Sequence, residues 1–157
     1  MRILGIDPGI GRMGWAIIDG TRQKPIAQAF GCLETDATET LADRLVLVHK
    51  KVQELMKTYK PEAMAIEDLF FNKNVKTAFI VGQARGVILL AAAQNKIPIS
   101  VYTPLAVKSA VSGYGRAEKK QVGRMIQLIL HLKTIPTPDD TADALAIALT
   151  HAFSKSF

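Results

Sequence analysis

Cysteine is almost missing from this chain: Cys32 stands alone among 157 residues. No intrachain disulfide can form, which removes the disulfide-framed secreted scaffolds and fits a reducing cytoplasm. Histidine is nearly as scarce, and His49, His131 and His151 are scattered. They form no zinc-type Cys/His spacing and no supported Ser/His/Asp arrangement. No uninterrupted apolar run approaches the roughly 18 residues that span a bilayer, the longest being residues 87–93. No membrane partner is expected, and Asp7 breaks the N-terminus too early for a signal segment. Acid is the minority charge: 14 Asp and Glu face 20 Lys and Arg, giving a net charge of +6 and a pI near 9.6. That balance favours an anionic partner, nucleic acid ahead of an acidic membrane surface. Otherwise the composition is ordinary, with 48% hydrophobic and 22% charged residues. The length predicts a single domain over residues 1–157.

Strands are expected at residues 1–7, 13–19 and 25–34, with Asp19-Gly20 as a hairpin signal between the second and third. Their close spacing makes them antiparallel. A helix follows at 39–59, where Leu41, Leu45, Val48, Val52 and Leu55 recur at helical spacing and Pro61 ends the run. A strand at 62–67, a helix at 75–94, a strand at 98–102 and helices near 104–111, 117–131 and 140–153 complete the reading. Hairpin strands followed by alternating helices and strands predict an α/β fold: a mixed five-stranded sheet, three strands antiparallel and then parallel ones, with helices on both faces. Sites in such sheets form beyond strand ends.

The few acids are placed unevenly. Asp7 closes the apolar run Ile3-Leu4-Gly5-Ile6, and Glu67 closes Ala63-Met64-Ala65-Ile66. Asp139, Asp140 and Asp143 open the apolar run that ends near Leu149. An aspartate before Pro-Gly is also ordinary turn chemistry, and aspartates in a first helical turn also cap. Capping does not account for Asp143 beside the apolar face, and either the 140/143 or the 139/143 pair shares a helix face. The reading taken is that Asp139 caps while Asp140 and Asp143 face a pocket. Clustered carboxylates repel unless a cation sits among them, and oxygen-only donors suit Mg²⁺ or Mn²⁺. The expected chemistry is metal-assisted phosphoryl transfer. The hairpin from Asp7 to Gly14 also resembles the phosphate-binding turn of actin-like ATPases, whose two-domain folds need far more chain.

Basic residues cluster in two places. Lys108, Lys119, Lys120 and Arg124 surround Gly113 and Gly115, and Lys73 and Lys76 follow Glu67. They are candidates for phosphate contacts, the bland alternative being a solvated helix face. Phe70 and Phe71 fall in the same expected loop, where an aromatic can stack on exposed bases. Ala78, Gly82 and Gly86 allow close helix packing, either on the chain's own sheet or on a second copy. The second copy is the reading taken, so these three are candidate homodimer residues.

Taken in order, Leu4-Gly5-Ile6-Asp7-Pro8-Gly9, Ala65-Ile66-Glu67, Gly82-Gln83-Ala84-Arg85-Gly86, Tyr102-Thr103-Pro104 with Val107-Lys108, Ala117-Glu118-Lys119-Lys120-Gln121-Val122 and Asp143-Ala144-Leu145-Ala146-Ile147-Ala148 with Thr150-His151 carry a resemblance to one family. The chain resembles the RuvC Holliday-junction resolvases of the RNase H-like nuclease superfamily. The resemblance implies a metal-binding, catalytic tetrad of Asp7, Glu67, Asp140 and Asp143, with two Mg²⁺ per site (Mn²⁺ as substitute) and Asp7 bridging them. It implies Lys119 as a catalytic cation, Lys108 as a DNA contact, and Phe70 at the junction centre. A homodimer, the RuvA–RuvB branch-migration complex as partner, and paired nicks in a four-way DNA junction follow from the same resemblance. The turn departs from the family where Ile10, Met13 and Trp15 replace the usual Ser, Thr and Tyr. A non-catalytic junction binder and an RNA–DNA hybrid nuclease are the competing readings.

Overall fold

A computed structural model describes residues 1–69 and 74–154. Its elements are β1 (Arg2–Asp7), β2 (Arg12–Thr21), β3 (Lys24–Glu34), α1 (Leu41–Tyr59), β4 (Ala63–Glu67), α2 (Val75–Gln94), β5 (Ile99–Tyr102), α3 (Pro104–Ser112), α4 (Lys119–Ile129) and α5 (Asp139–Ser154). One sheet runs in the order β3-β2-β1-β4-β5. The β1/β2 and β2/β3 pairs are antiparallel, and β1/β4 and β4/β5 are parallel. This is the expected mixed sheet.

The helix boundaries follow local chemistry. Thr40 accepts a hydrogen bond from the Asp43 N–H, so α1 begins at Leu41 rather than 39. It stops where Lys60 turns left-handed ahead of Pro61. Asn74 caps α2 through the N–H groups of Lys76 and Thr77. Thr103 caps α3, with Pro104 in its first turn, and Gly113 ends it at a φ of 76°. α4 is shorter than the expected 117–131.

Strand alternation divides the core. Leu4 and Ile6 of β1 and Met64 and Ile66 of β4 pack with Val48, Val52 and Leu55 of α1 and Ile88, Ala91 and Ala92 of α2. Ile3 and Ala65 point the other way, into a cluster built on Ala144 to Leu149 of α5 with Val107, Val122 and Ile126 of α3 and α4. Asp7 is in phase with Ile3, and Glu67 with Ala65. Both acids therefore leave the sheet on the α5 face.

Helix α2 differs from its reading in two ways. Its length and composition would suffice to cross a membrane, unlike the expectation of no such run, although Arg85 interrupts it. Its inner side is packed in the core, while Val75, Phe79 and Leu90 are exposed. The stripe of small residues is also split. Ala78 is buried at 7% exposure. A Cβ on Gly82 would touch Leu69 of the same chain, and only at Gly86 is the space open. Ala78 thus packs chiefly inside its own domain, and of the three candidate interface residues Gly86 alone has open space around it.

Candidate active site

Two glycines let α5 approach the sheet. A Cβ on Gly5 would collide with the Ala144 carbonyl and lie 2.7 Å from Ala148 Cβ. A Cβ on Gly14 would collide with the Asp140 carbonyl. Gly14 pairs with Asp7 across β1 and β2. The missing side chain therefore brings the first turn of α5 down beside Asp7. Glu67 ends the parallel neighbour β4, one residue after the Ile6–Ile66 pairing. One end of the sheet thus gathers Asp7, Glu67, Asp140 and Asp143 from three segments.

The electrostatics record this gathering. Burial, then the charges of Asp143, Glu67 and Asp140, push the Asp7 carboxyl up to about 8, against a smaller opposing pull from Lys119. Burial and Asp143 push Glu67 up to about 7, opposed by Lys119 and Lys108. Asp143 is raised by burial despite Lys119 beside it. Lys119, at the start of α4, donates from Nζ to Asp143 Oδ2 at 3.4 Å and lies 3.8 Å from Asp139 Oδ2. Burial lowers the Lys119 ammonium, but Asp143, Asp139 and Asp7 outweigh it and hold it above its ordinary value.

Among the described residues, no three His, Cys, Asp or Glu side chains close into a ready metal cluster. The acids repel one another, and the outer ones turn to cationic side chains. The donor set still fits a hard divalent cation: every ligand is a carboxylate, and two of them are strained by burial and mutual charge.

Of the expected basic residues, Lys108 lines a cleft of about 200 Å³ with Glu67, Lys119 and Asp143. Lys120 lines a second cleft of about 340 Å³ with Lys119, Asp139 and Asp143. Arg124 and Lys76 are exposed on α4 and at the start of α2 and line neither cleft. Phe70 and Lys73 lie outside the described residues. Asp139 is the exposed first residue of α5. His151 stays away from the acids, buried at the far end of α5 with Nδ1 2.8 Å from the Tyr102 hydroxyl. One residue escaped the sequence reading: Arg12 of β2 lies 3.8 Å from Asp140 Oδ2. Its position in a glycine-rich turn was visible, but its partner 128 positions later was not.

The profile of the family described as crossover junction endodeoxyribonuclease RuvC matches residues 3–151. The chain belongs to this family. It is 52% identical, over its whole length and 95% of the relative, to the crossover junction endodeoxyribonuclease RuvC of Brevibacillus brevis. The protein of the same description from Moorella thermoacetica is 51% identical over 97% of this chain and 91% of its own. Among solved structures, T. thermophilus RuvC in complex with a Holliday junction substrate superposes with a TM-score of 0.94 at 39% identity, covering 98% of this chain and 94% of the other. The yeast mitochondrial Holliday junction resolvase Ydc2, 17% identical with a TM-score of 0.69, shares the fold. The fold is therefore the RNase H-like fold of these nucleases, and family membership implies use of a divalent metal.

Proposed function

We propose that the protein is a structure-specific endodeoxyribonuclease that cuts four-way DNA junctions by paired, symmetric nicks, in recombination and DNA repair. The observation that carries the reading is the convergence of Asp7, Glu67, Asp140 and Asp143 beside Lys119, at one end of the sheet. A module that only binds DNA gains nothing from four carboxylates turned towards phosphates.

Asp7, Glu67, Asp140 and Asp143 would hold Mg²⁺, two ions per site, with Mn²⁺ as a substitute. Bound there, the ions supply Lewis acidity and activate water for in-line attack. The chain's own groups do the rest. Asp7, innermost of the acids, fixes the site at the end of β1. Lys119 is poised to neutralise charge developing on the attacked phosphate, and Lys108 to hold the strand in the neighbouring cleft. The products would carry 5′-phosphate and 3′-hydroxyl ends.

A second copy is the expected partner of α2, where Val75, Phe79 and Leu90 are exposed, as are Val46 and Leu47 of α1. A twofold dimer presents two acid sites to a junction of matching symmetry. The cytoplasm is the expected location, and the RuvA–RuvB complex remains the partner implied by the resemblance. The test is a labelled synthetic four-way junction incubated with Mg²⁺ beside linear duplex and RNA–DNA hybrid. Paired nicks in the junction alone support the reading, and preferential cutting of the hybrid would replace it with a sister nuclease.

A further inference from the structure

Among the described residues, Arg12 reaches the acid site from the sheet, whereas Lys108 and Lys119 reach it from α3 and α4. The turn that carries Arg12 is fixed. Thr35 donates its N–H to the Gly11 carbonyl at 3.0 Å and its hydroxyl to the Ile10 carbonyl. Arg44 Nε in turn donates to Thr35 Oγ1 at 2.9 Å. A Cβ on Gly9 would strike the Arg12 carbonyl, so the chain doubles back tightly just before the guanidinium. From this fixed base the side chain, 56% exposed, extends to Asp140 with Nη1 3.8 Å from Oδ2. That separation is too long for a hydrogen bond and far from a bidentate fork. The backbone of Arg12 is anchored while its head group is held only loosely by an exposed ion pair.

This combination suits exchange of partners. The guanidinium stays charged at any working pH and offers five N–H donors in a plane that matches phosphate oxygens. Asp140 attracts it only while the carboxylate charge is not balanced by another cation. Arg12 comes to the acids from β2 and meets Asp140, whereas Lys119 comes from α4 and meets Asp139 and Asp143.

We propose that Arg12 is a strand-positioning residue that neutralises Asp140 in the free protein and transfers to a DNA backbone phosphate when the acids bind divalent cations. The proposal rests on the junction-nuclease reading above. The cut strand is then gripped by Arg12 from the sheet and by the two lysines from the helices. The competing role is structural: Arg12 would only tie the start of α5 to β2, and its loss would lower stability without touching DNA.

Two measurements separate these roles. The first is binding of the wild-type protein, Arg12→Ala and Arg12→Lys to a synthetic four-way junction over a range of salt concentrations. Ca²⁺ replaces Mg²⁺, and the DNA is checked to be intact afterwards. Arg12→Ala is expected to bind about fivefold to tenfold more weakly, with the slope of log affinity against log salt reduced by about 0.9 for each phosphate that Arg12 no longer neutralises. Arg12→Lys is expected to restore the slope, because charge alone sets it, but only part of the affinity. The second is calorimetric titration of the DNA-free protein with Mn²⁺. Arg12→Ala is expected to bind the ion about twofold to fivefold more tightly, since a competing cation is gone. An unchanged salt slope, or Mn²⁺ affinity that stays the same or falls, overturns the proposal. If the wild-type protein fails to bind junctions, the junction reading itself is lost; if it binds and Arg12→Ala is indifferent, only this proposal is.

Discussion

Replacing Asp7 with asparagine should stabilise the metal-free protein, and the gain should grow with pH. In the unfolded chain Asp7 titrates near its ordinary 3.8, whereas burial and the charges of Asp143, Glu67 and Asp140 push it to about 8 in the folded one. A raised carboxyl pKa means the folded state keeps a proton that the unfolded state has already lost. Stability therefore falls as pH rises from about 4 to about 8 and levels off above that. At 1.36 kcal/mol per pH unit the whole interval sets a ceiling of about 5–6 kcal/mol. The site opens to solvent and salt screens its charges, which reduces the expected gain to about 2 kcal/mol at pH 8. Urea unfolding in EDTA near pH 5, 6.5 and 8 measures it. The gap between Asp7→Asn and wild type should widen at each step. Mg²⁺ should then raise the wild-type midpoint most at the highest pH, because a ligand that binds only the folded state stabilises by mass action and competes there with fewer protons. A gap that is the same at all three pH values, or a variant less stable than wild type at pH 8, would refute the assignment of Asp7 to a crowded acid site. The same variant should lose cleavage by more than about a thousandfold while keeping junction binding.

Other perturbations probe separate parts of the site. Lys119→Met should slow single-turnover junction cleavage by about a hundredfold or more, the scale of one electrostatic contact to a developing charge, with a much smaller effect on junction affinity. Gly14→Ala forces a methyl group into the Asp140 carbonyl and should cost about 3 kcal/mol of stability by thermal unfolding, whereas Gly86→Ala, with open space around it, should be nearly neutral. Phe79→Glu, on the exposed side of α2, should yield monomers by sedimentation and uncouple the paired nicks into single ones. Without metal Glu67 and Asp7 hold their protons up to about 7 and about 8, and Mg²⁺ has to displace them, so the Mg²⁺ concentration for half-maximal cleavage should fall as pH rises from about 6 to about 8; a Mg²⁺ requirement that does not change with pH would argue against ligation by these two acids.

The sheet was legible because its signals are local and mutually consistent. Pro61 ended a helix, and the apolar runs closing on Asp7 and Glu67 marked two strand ends. The β2–β3 hairpin formed as expected, but Asp19 and Gly20 pair inside the ladder with Ile26 and Pro25, and the chain reverses at Arg22-Gln23. That both acids leave on one face followed only from the parallel Ile6–Ile66 register and the packing of Ile3 and Ala65 against α5. The fate of α2 was not legible, because a helix that is apolar on nearly every side offers no phase from which to read its buried face. The stripe Ala78-Gly82-Gly86 looked continuous in sequence and yet divides between the chain's own core and open space. Arg12 was hidden for a different reason: its partner is set by how α5 crosses the sheet, not by anything near it in the chain.

The glycines show how the site is made, and they act differently from what their spacing suggests. In sequence, Gly9, Gly11 and Gly14 look like one glycine-rich turn after Asp7, suited to close approach of a phosphate. In the fold they act separately. Gly9 tightens the turn against Arg12, while Gly14 sits inside β2 opposite Asp7 and admits the backbone of Asp140. Gly5 does the same for Ala144 and Ala148 one layer deeper. The helix is thus seated at two points, with backbone contact in place of side-chain packing. Four carboxylates that repel one another are held by a contact that leaves the helix little room to withdraw. Relief comes from cations instead: Lys119 and Arg12 on the outer acids, and, in the proposed function, divalent ions among the inner ones. On this account the glycines and the acids form one device, and Gly14→Ala should abolish cleavage even when assayed well below its unfolding temperature, because the added methyl group shifts Asp140 away from Asp7. Full activity in a folded Gly14→Ala protein would show that the acids tolerate a displaced α5, and the tight seating of the helix would then need a different cause.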